Sequence, residues 1–262
     1  MTTPADLFAF YVSQHRGHPI PGFHGDLLPG FTRYTPLLEE LEGIITFATL
    51  TPAEADAAIT TQMAYFSQLG RSFEWKVHTL DQPADLAVRL RRHGFVAGET
   101  EAFMLYPLSG HHDVHPATRI QIRPIQSPEE IRALVALHEN LSGAPLAWLA
   151  PSLTAAREEL EIYGAYDGGT LVGTGWTDYP AHASIANLHG GAVLPAYRGQ
   201  GIYSALFAVR AASAVARGVS WLAVDAAPMS RPILLRKGFR LICETTPFRM
   251  EYTRNLSGRS TA

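Results

Sequence analysis

The sequence predicts an α/β protein of the mixed-sheet (α+β) kind whose plan occurs twice: two halves in tandem, each a mixed central sheet flanked by helices. Three observations carry this reading. A short pattern near residue 94 returns near residue 238. From residue 120 onward, strand-period and helix-period apolar patterns follow one another in a definite order. And a long apolar strand runs into a glycine-containing loop that opens a helix.

The repeat is read directly. Leu90-Arg91-Arg92-His93-Gly94-Phe95 is followed by Glu99, Thr100 and Phe103; Leu235-Arg236-Lys237-Gly238-Phe239 is followed by Glu244, Thr245 and Phe248. The two Gly-Phe pairs lie 144 residues apart, and each sits between a helical stretch and a strand. A tryptophan-bearing strand precedes each helix, with Trp75 in one copy and Trp221 in the other. Similarity at a fixed offset argues for two copies of one supersecondary plan. Between them runs a polar, aperiodic stretch, so the expected organisation is 1–108, a linker at 109–118, and 119–262.

In the second half, residues 120–123 read as a strand. Ser127-Pro128-Glu129-Glu130 is a capping box with proline at the first helical position. Ile131, Leu134 and Val135 mark the buried face of the helix it opens. A second helix is expected to end near Leu160. Residues 163–166 and 171–176 form a hairpin about Asp167-Gly168-Gly169. A long strand, 183–193, feeds the glycine loop, and the helix from Ile202 to about Arg217 is followed by strand, helix and final strand. The first half shows the tail of this order. Residues 43–50 are its long strand, and Thr51-Pro52-Ala53-Glu54 opens a helix to about Leu69. No glycine stands at that entrance; Pro52 has no N–H to offer and Glu54 would repel an anion.

Composition bounds the partners. The 262 residues are 47% hydrophobic and 17% charged with net charge −3, which describes an ordinary globular chain without an electrostatic footprint for nucleic acid or an anionic membrane. No apolar run reaches membrane-spanning length, and the first residues lack the basic and apolar regions of a signal peptide. The single cysteine, Cys243, excludes an internal disulfide and reads as a small buried residue on a late strand. A reducing, cytoplasmic setting is expected.

The chemistry concentrates in Val193-Leu194-Pro195-Ala196-Tyr197-Arg198-Gly199-Gln200-Gly201-Ile202. A strand, a proline turn and a glycine loop entering a helix point backbone N–H groups and the positive helix end at one small volume, which suits phosphate. Gly199 and Gly201 let an anion approach the backbone, and Arg198 adds a bidentate donor. This word resembles the acyl-CoA pyrophosphate loop of GNAT-type N-acetyltransferases. The resemblance covers residues 120–252 well and the first half only as a degenerate relative without a CoA loop.

The resemblance implies a tandem GNAT protein with one working site, taking acetyl-CoA as co-substrate and passing its acetyl group to a primary amine of a small molecule or peptide. It places the cofactor against Ala192, Val193, Leu194, Arg198, Gly199, Gln200, Gly201, Ile202, Tyr203 and Ser204. Pantetheine would meet the backbone of residues 192–194, and the N–H of Val193 would face the oxyanion. Gly190 and Gly191 fit the bulge that splays this strand from the next. Tyr203 departs from the family pattern, a bulky ring standing where relatives carry a small residue; it either turns away or narrows the loop.

Direct acyl transfer needs a base for the ammonium and a donor for the leaving thiolate. His189 stands where relatives carry a glutamate; it is either that base, with an ordinary pKa of ~6.5, or a packed histidine. The tyrosine that protonates the thiolate in relatives corresponds to Leu234, and a neighbouring asparagine to Ala227. Ser230 is the alternative donor, or else caps the helix beside Pro232. Trp148 lies where relatives recognise acceptors, or is core. Asp178 and Tyr179 either meet a cationic acceptor or support a turn. His111, His112, Asp113 and His115 have metal-like composition on a linker that cannot pre-organise a site, so solvated side chains and no metal are expected. The competing reading is a non-catalytic acyl-CoA-binding sensor or structural module, in either case a monomer or homodimer that touches neither nucleic acid nor membrane.

Overall fold

The computed structural model describes residues 3–109 and 119–252. The linker residues His111, His112, Asp113 and His115 lie outside the described residues. The chain packs as two compact units: Met1–Phe103 with Ala226–Pro232 and Ile242–Ala262, and Met104–Asp225 with Ile233–Leu241. The repeat boundary at 109–118 and the packing boundary therefore differ, because the C-terminal strand joins the first unit.

The first unit opens with α1 (Pro4–His15), started by a capping box in which the Thr3 hydroxyl accepts from Asp6 N–H and the Asp6 carboxylate accepts from Thr3 N–H. The hairpin β1 (Phe23–Leu28) and β2 (Phe31–Pro36) follows, then β3 (Gly43–Thr46), α2 (Ala55–Gln68), β4 (Phe73–His78), α3 (Leu86–Arg92), β5 (Val96–Ala97) and β6 (Glu101–Pro107), the last passing into the second unit. β1, β2 and β3 pair antiparallel in turn, β3 pairs parallel with β4, and β4 pairs antiparallel with the C-terminal β12 (Arg240–Met250), which also carries β5. Ile45, Ile59, Phe66, Phe73, Trp75, Leu90 and Phe248 form the centre of this core. Each such burial contributes roughly 1.5–3 kcal/mol relative to exposure.

Sequence reading missed α1, β1 and β2, so the first half carries more of the shared plan than its tail. Its long strand also ends early. β3 stops at Thr46 because Phe47 adopts φ 59°, a left-handed conformation outside any strand. The helix begins at Ala55, four residues beyond Thr51: the Glu54 carboxylate accepts from Thr51 N–H and hydroxyl, and residues 51–54 remain a turn. Past the β3–β4 pairing, the first unit fills the gap with its own chain. Gln82 N–H donates to Ala48 O at 2.9 Å and Leu50 N–H donates to Gln82 O at 3.1 Å.

The second unit contains β7 (Gln121–Pro124), α4 (Pro128–Ser142), α5 (Leu149–Ala155), β8 (Leu160–Asp167), β9 (Thr170–Asp178), β10 (Ile185–Val193), α6 (Ile202–Ala216), β11 (Trp221–Ala226) and α7 (Arg231–Arg236), whose first two residues, like the last of β11, group with the first unit. Strands β7 to β10 pair antiparallel in order, and β10 pairs parallel with β11. The Ser127 box forms as expected, with Pro128 inside it, and α4 ends on Gly143 at φ 70°. Backbone N–H groups of Gln126 and Ser127, with Arg123, hold the Glu130 carboxyl down at about 2. The helix expected to reach Leu160 stops at Ala155; Leu160 already opens β8. Alternation along β9 puts Gly173 and Gly175 against α6, and Thr174 and Trp176 against α4, so the two helices cover opposite faces.

Candidate active site

Two consecutive glycines shape the strand from which the site is built. Between His189, opposite Trp176, and Ala192, opposite Thr174, β10 carries one residue more than β9. This is a bulge. Gly190 takes φ 57°, and a Cβ there would lie 1.7 Å from the Trp176 ring, so no side chain fits. On its other edge, β10 keeps register with β11 only for Ile185, Ala186 and Asn187. From the bulge onward that edge opens.

Backbone parity then sorts the expected cofactor contacts. Leu194 N–H donates to Val172 O of β9 at 2.9 Å, so it is not available to a ligand. Its neighbour Val193 points N–H and C=O the other way, toward the open edge. The Val193 carbonyl there accepts from Arg198 Nε at 3.2 Å. Ala192 has the parity of Leu194 and turns its N–H toward β9.

The loop follows at once. Pro195–Tyr197 make one 3-10 turn, Arg198 is extended, and Gly199 and Gly201 sit at φ 76° and 79°. Gly201 is the N-cap of α6 and supplies no side-chain cap, which leaves the first N–H groups of Ile202, Tyr203 and Ser204 without intrahelical acceptors. A Cβ at Gly199 would meet nothing within 4 Å. The position is glycine for its φ, with open space around it. Arg198 ties the loop to the strand through Nε and leaves its terminal nitrogens for an anion. The Gln200 amide donates to Ala196 O at 3.2 Å.

A second cation, which the sequence reading passed over, stands at the helix entrance. Lys237 Nζ donates to the Ser204 hydroxyl at 2.7 Å, and burial lowers its pKa. Its signal was present in the repeated Arg-Lys-Gly-Phe word, whose counterpart in the first half has His93. With three N–H groups, Arg198 and Lys237 around a loop open at Gly199, the residues present fit a pyrophosphate.

On the α4 face, His189 is exposed and its ring stacks against Trp176, centroids 6.4 Å apart. Behind Trp176 a short relay reaches the bulge. The Thr174 hydroxyl donates to Gly190 O at 3.1 Å, so its oxygen accepts from Nε2–H of His138 at 2.8 Å. That fixes the His138 tautomer, and burial lowers its pKa. On the α6 face, Arg210 is 2% exposed and its guanidinium fills the space a side chain at Gly175 would take. It donates to the carbonyls of Leu206, Trp176 and His189. Tyr203 does not narrow the loop: its ring packs under the bulge, 3.0 Å from where a Cβ on Gly191 would be.

The remaining candidates separate. Ser230 is half-buried in a turn closed by its N–H on Ala227 O at 2.8 Å, in a segment that packs with the first unit. Leu234 is buried, as is Cys243. Trp148 is 43% exposed, so it is not core. Asp178 accepts from Asn187 at 3.1 Å, and Tyr179 donates to Glu161 at 3.1 Å under the Arg217 guanidinium. Those contacts employ Asp178 and Tyr179 in the turn. Among the described residues no group of three or more His, Cys, Asp or Glu side chains is placed to hold a metal, and no helix is long and apolar enough to cross a membrane.

Residues 127–231 match the family model described as acetyltransferase (GNAT) family. No curated protein matches the chain. Among solved structures, a GCN5-related N-acetyltransferase from Kribbella flavida aligns over 95% of this chain and 96% of its own, with TM-score 0.70 and 15% identity. A functionally unknown conserved protein from Staphylococcus epidermidis aligns over 88% and 94%, with TM-score 0.65 and 13% identity. A tandem GNAT protein from the clavulanic acid biosynthesis pathway aligns over 93% and 86%, with TM-score 0.61 and 13% identity. At these identities the likeness is one of fold.

Proposed function

We propose, for a chain whose residues 127–231 match the acetyltransferase (GNAT) family model, that it transfers an acetyl group from acetyl-CoA to a primary amine of a small molecule or peptide, by direct attack on the thioester. The observation that carries this is the continuity of two features: the open edge of β10 beyond its glycine bulge runs without a break into the uncapped N-terminus of α6. One is shaped for an extended arm and the other for its diphosphate. Residues 119–262 act as the acetyltransferase half, and residues 1–108 take no CoA.

The roles follow from direction and chemistry. N–H groups of residues 202–204, with Arg198 and Lys237, hold the diphosphate. The N–H of Val193, at the open edge, meets the carbonyl oxygen as it gains charge. His189, exposed beside Trp176, takes the proton from the attacking ammonium, directly or through water. Ser230 is the thiolate donor that the sequence offers in place of Leu234. One observation favours a second reading. Leu234 is buried where relatives place a proton-donating tyrosine, which suits a protein that binds acyl-CoA without turning it over.

The test is calorimetric titration with acetyl-CoA, dephospho-CoA and free pantetheine, followed by thiol release with a panel of amines. Acetyl-CoA and dephospho-CoA are expected to bind and pantetheine to bind far more weakly. Equal affinity for pantetheine would remove the loop from the reading, and binding without thiol release would favour the sensor.

A further inference from the structure

Gly190 and Gly191 stand side by side in β10, and the register with β9 skips both. The ladder therefore does not fix the peptide that joins them. A peptide between two glycines also turns over cheaply, because neither residue has a Cβ to oppose the change in its dihedrals. Its direction has consequences for a ligand in the slot. In a trans peptide the C=O of Gly190 and the N–H of Gly191 point opposite ways, so one faces β9 and the other the open edge.

Two side chains decide the direction. The Thr174 hydroxyl donates to Gly190 O at 3.1 Å. That draws the carbonyl toward β9 and turns the Gly191 N–H to the open edge, where Val193 also points its N–H. Thr174 is 0% exposed, so water does not reach its hydroxyl. Its oxygen accepts from Nε2–H of His138 at 2.8 Å, which leaves the hydroxyl proton for the carbonyl. His138 in turn packs edge-on to the Trp176 ring, centroids 5.6 Å apart. From the α6 face, Arg210 donates to the preceding carbonyl, His189 O, at 3.4 Å. Arg210 thus holds the peptide before Gly190, and Thr174 the one after it.

We propose that Thr174 and His138 are positioning residues for acyl transfer: together they hold the 190–191 peptide with its N–H, and not its carbonyl oxygen, toward the acyl end of the donor slot. This rests on the acyl-transfer reading above. An arm that runs from residue 194 toward 192, with its carbonyl oxygen on the Val193 N–H, carries its acyl carbon toward the bulge. The Gly191 N–H lies about 7 Å farther along the same edge. There its dipole favours the charge that develops on the thioester oxygen. In the reversed peptide a carbonyl oxygen would stand in its place. That oxygen would repel the developing charge. It would also accept from the ammonium form of the acceptor, retaining the proton that must leave before attack. Thr174 and His138 act through the backbone and not by contact with the reacting atoms.

The experiment compares wild type with Thr174→Val, which keeps the shape and loses the hydroxyl, with Thr174→Ser, which keeps the hydroxyl and loses the methyl, and with His138→Leu. Three quantities are read: affinity for acetyl-CoA, release of CoA thiol with an amine acceptor at saturating acetyl-CoA, and the NMR amide resonance of Gly191. Thr174→Val is expected to bind acetyl-CoA within about twofold of wild type and to release thiol roughly tenfold to a hundredfold more slowly. Thr174→Ser should release thiol within about threefold of wild type, and His138→Leu should fall between the two. The Gly191 amide proton should move downfield when acetyl-CoA binds wild type or Thr174→Ser, and stay in place in Thr174→Val. A packing role predicts the reverse order, because serine and not valine leaves a cavity. Thiol release in Thr174→Val equal to wild type would overturn the assignment, as would a serine variant more impaired than the valine one. Wild type that releases no thiol with any amine would overturn the acyl-transfer reading itself, while the Gly191 resonance would still report which way the peptide points.

Discussion

Gly190 and Trp176 cannot both keep their places if position 190 gains a side chain. The methyl of alanine would lie 1.7 Å from the indole ring at a φ that L residues rarely adopt. Gly190→Ala should therefore cost at least about 2 kcal/mol in urea denaturation, and should lower acetyl-CoA turnover more than acetyl-CoA affinity, because the bulge and not the loop is displaced. A silent variant would mean the bulge is dispensable. The histidine behind it makes a second prediction, one of pH. Burial holds the pKa of His138 below the ordinary 6.5, so the folded protein keeps it neutral while the unfolded chain takes up a proton. The sign follows: this contribution to stability is present above about pH 6.5 and is lost as pH falls through the lower folded value. His138→Gln, which can still donate to Thr174, should flatten the fall in urea midpoint between about pH 7 and pH 5. An unchanged slope would show that His138 titrates alike in both states.

At the scale of elements, the proposed function makes the strand–loop–helix segment 185–216 one anion-binding device, and its charges should be separable. Arg198→Glu removes the tie to Val193 O and sets a negative charge at the diphosphate, so acetyl-CoA binding should vanish in calorimetry. Lys237→Met removes a partly buried cation from the first turn of α6 and should weaken binding roughly fivefold to tenfold. Unchanged affinity in both would place the diphosphate elsewhere. Much of this segment was legible because its signals are local: two glycines and a proline turn are each decided within a few residues. What the sequence did not disclose depends on distant partners. His138 and Thr174 are 36 residues apart, and Lys237 and Ser204 are 33 apart. The edge strand β1 was hidden differently, since His24, Gly25 and Leu27 are all exposed and no clean alternation marks it. In α1 the capping acid is an aspartate rather than the glutamate or glutamine by which such boxes are recognised.

At the scale of the whole molecule, the repeat shows what the halves share and where they part. Each unit pairs a strand parallel with its neighbour and meets a positive φ soon after that pairing ends, Phe47 in one and Gly190 in the other. In the first unit the gap beyond is bridged by the backbone of Gln82, which takes the edge that an extended arm would need. The chain also crosses its own repeat boundary. Residues 245–250 pair with β4, Phe248 is 1% exposed in the first core, and Tyr252 donates to Met63 O at 2.9 Å. A cut at the linker would thus leave residues 1–108 with a bare β4 edge and a hole the size of a phenylalanine, a loss of about 3–5 kcal/mol from that side chain alone. Expressed by itself, residues 1–108 should give a weak, non-cooperative thermal transition and rapid proteolysis, and a peptide of residues 240–252 added in trans should restore both. A fragment 1–108 that melts cooperatively without the peptide would show that the repeat boundary is also the folding boundary, and that β12 is an addition to a unit already complete.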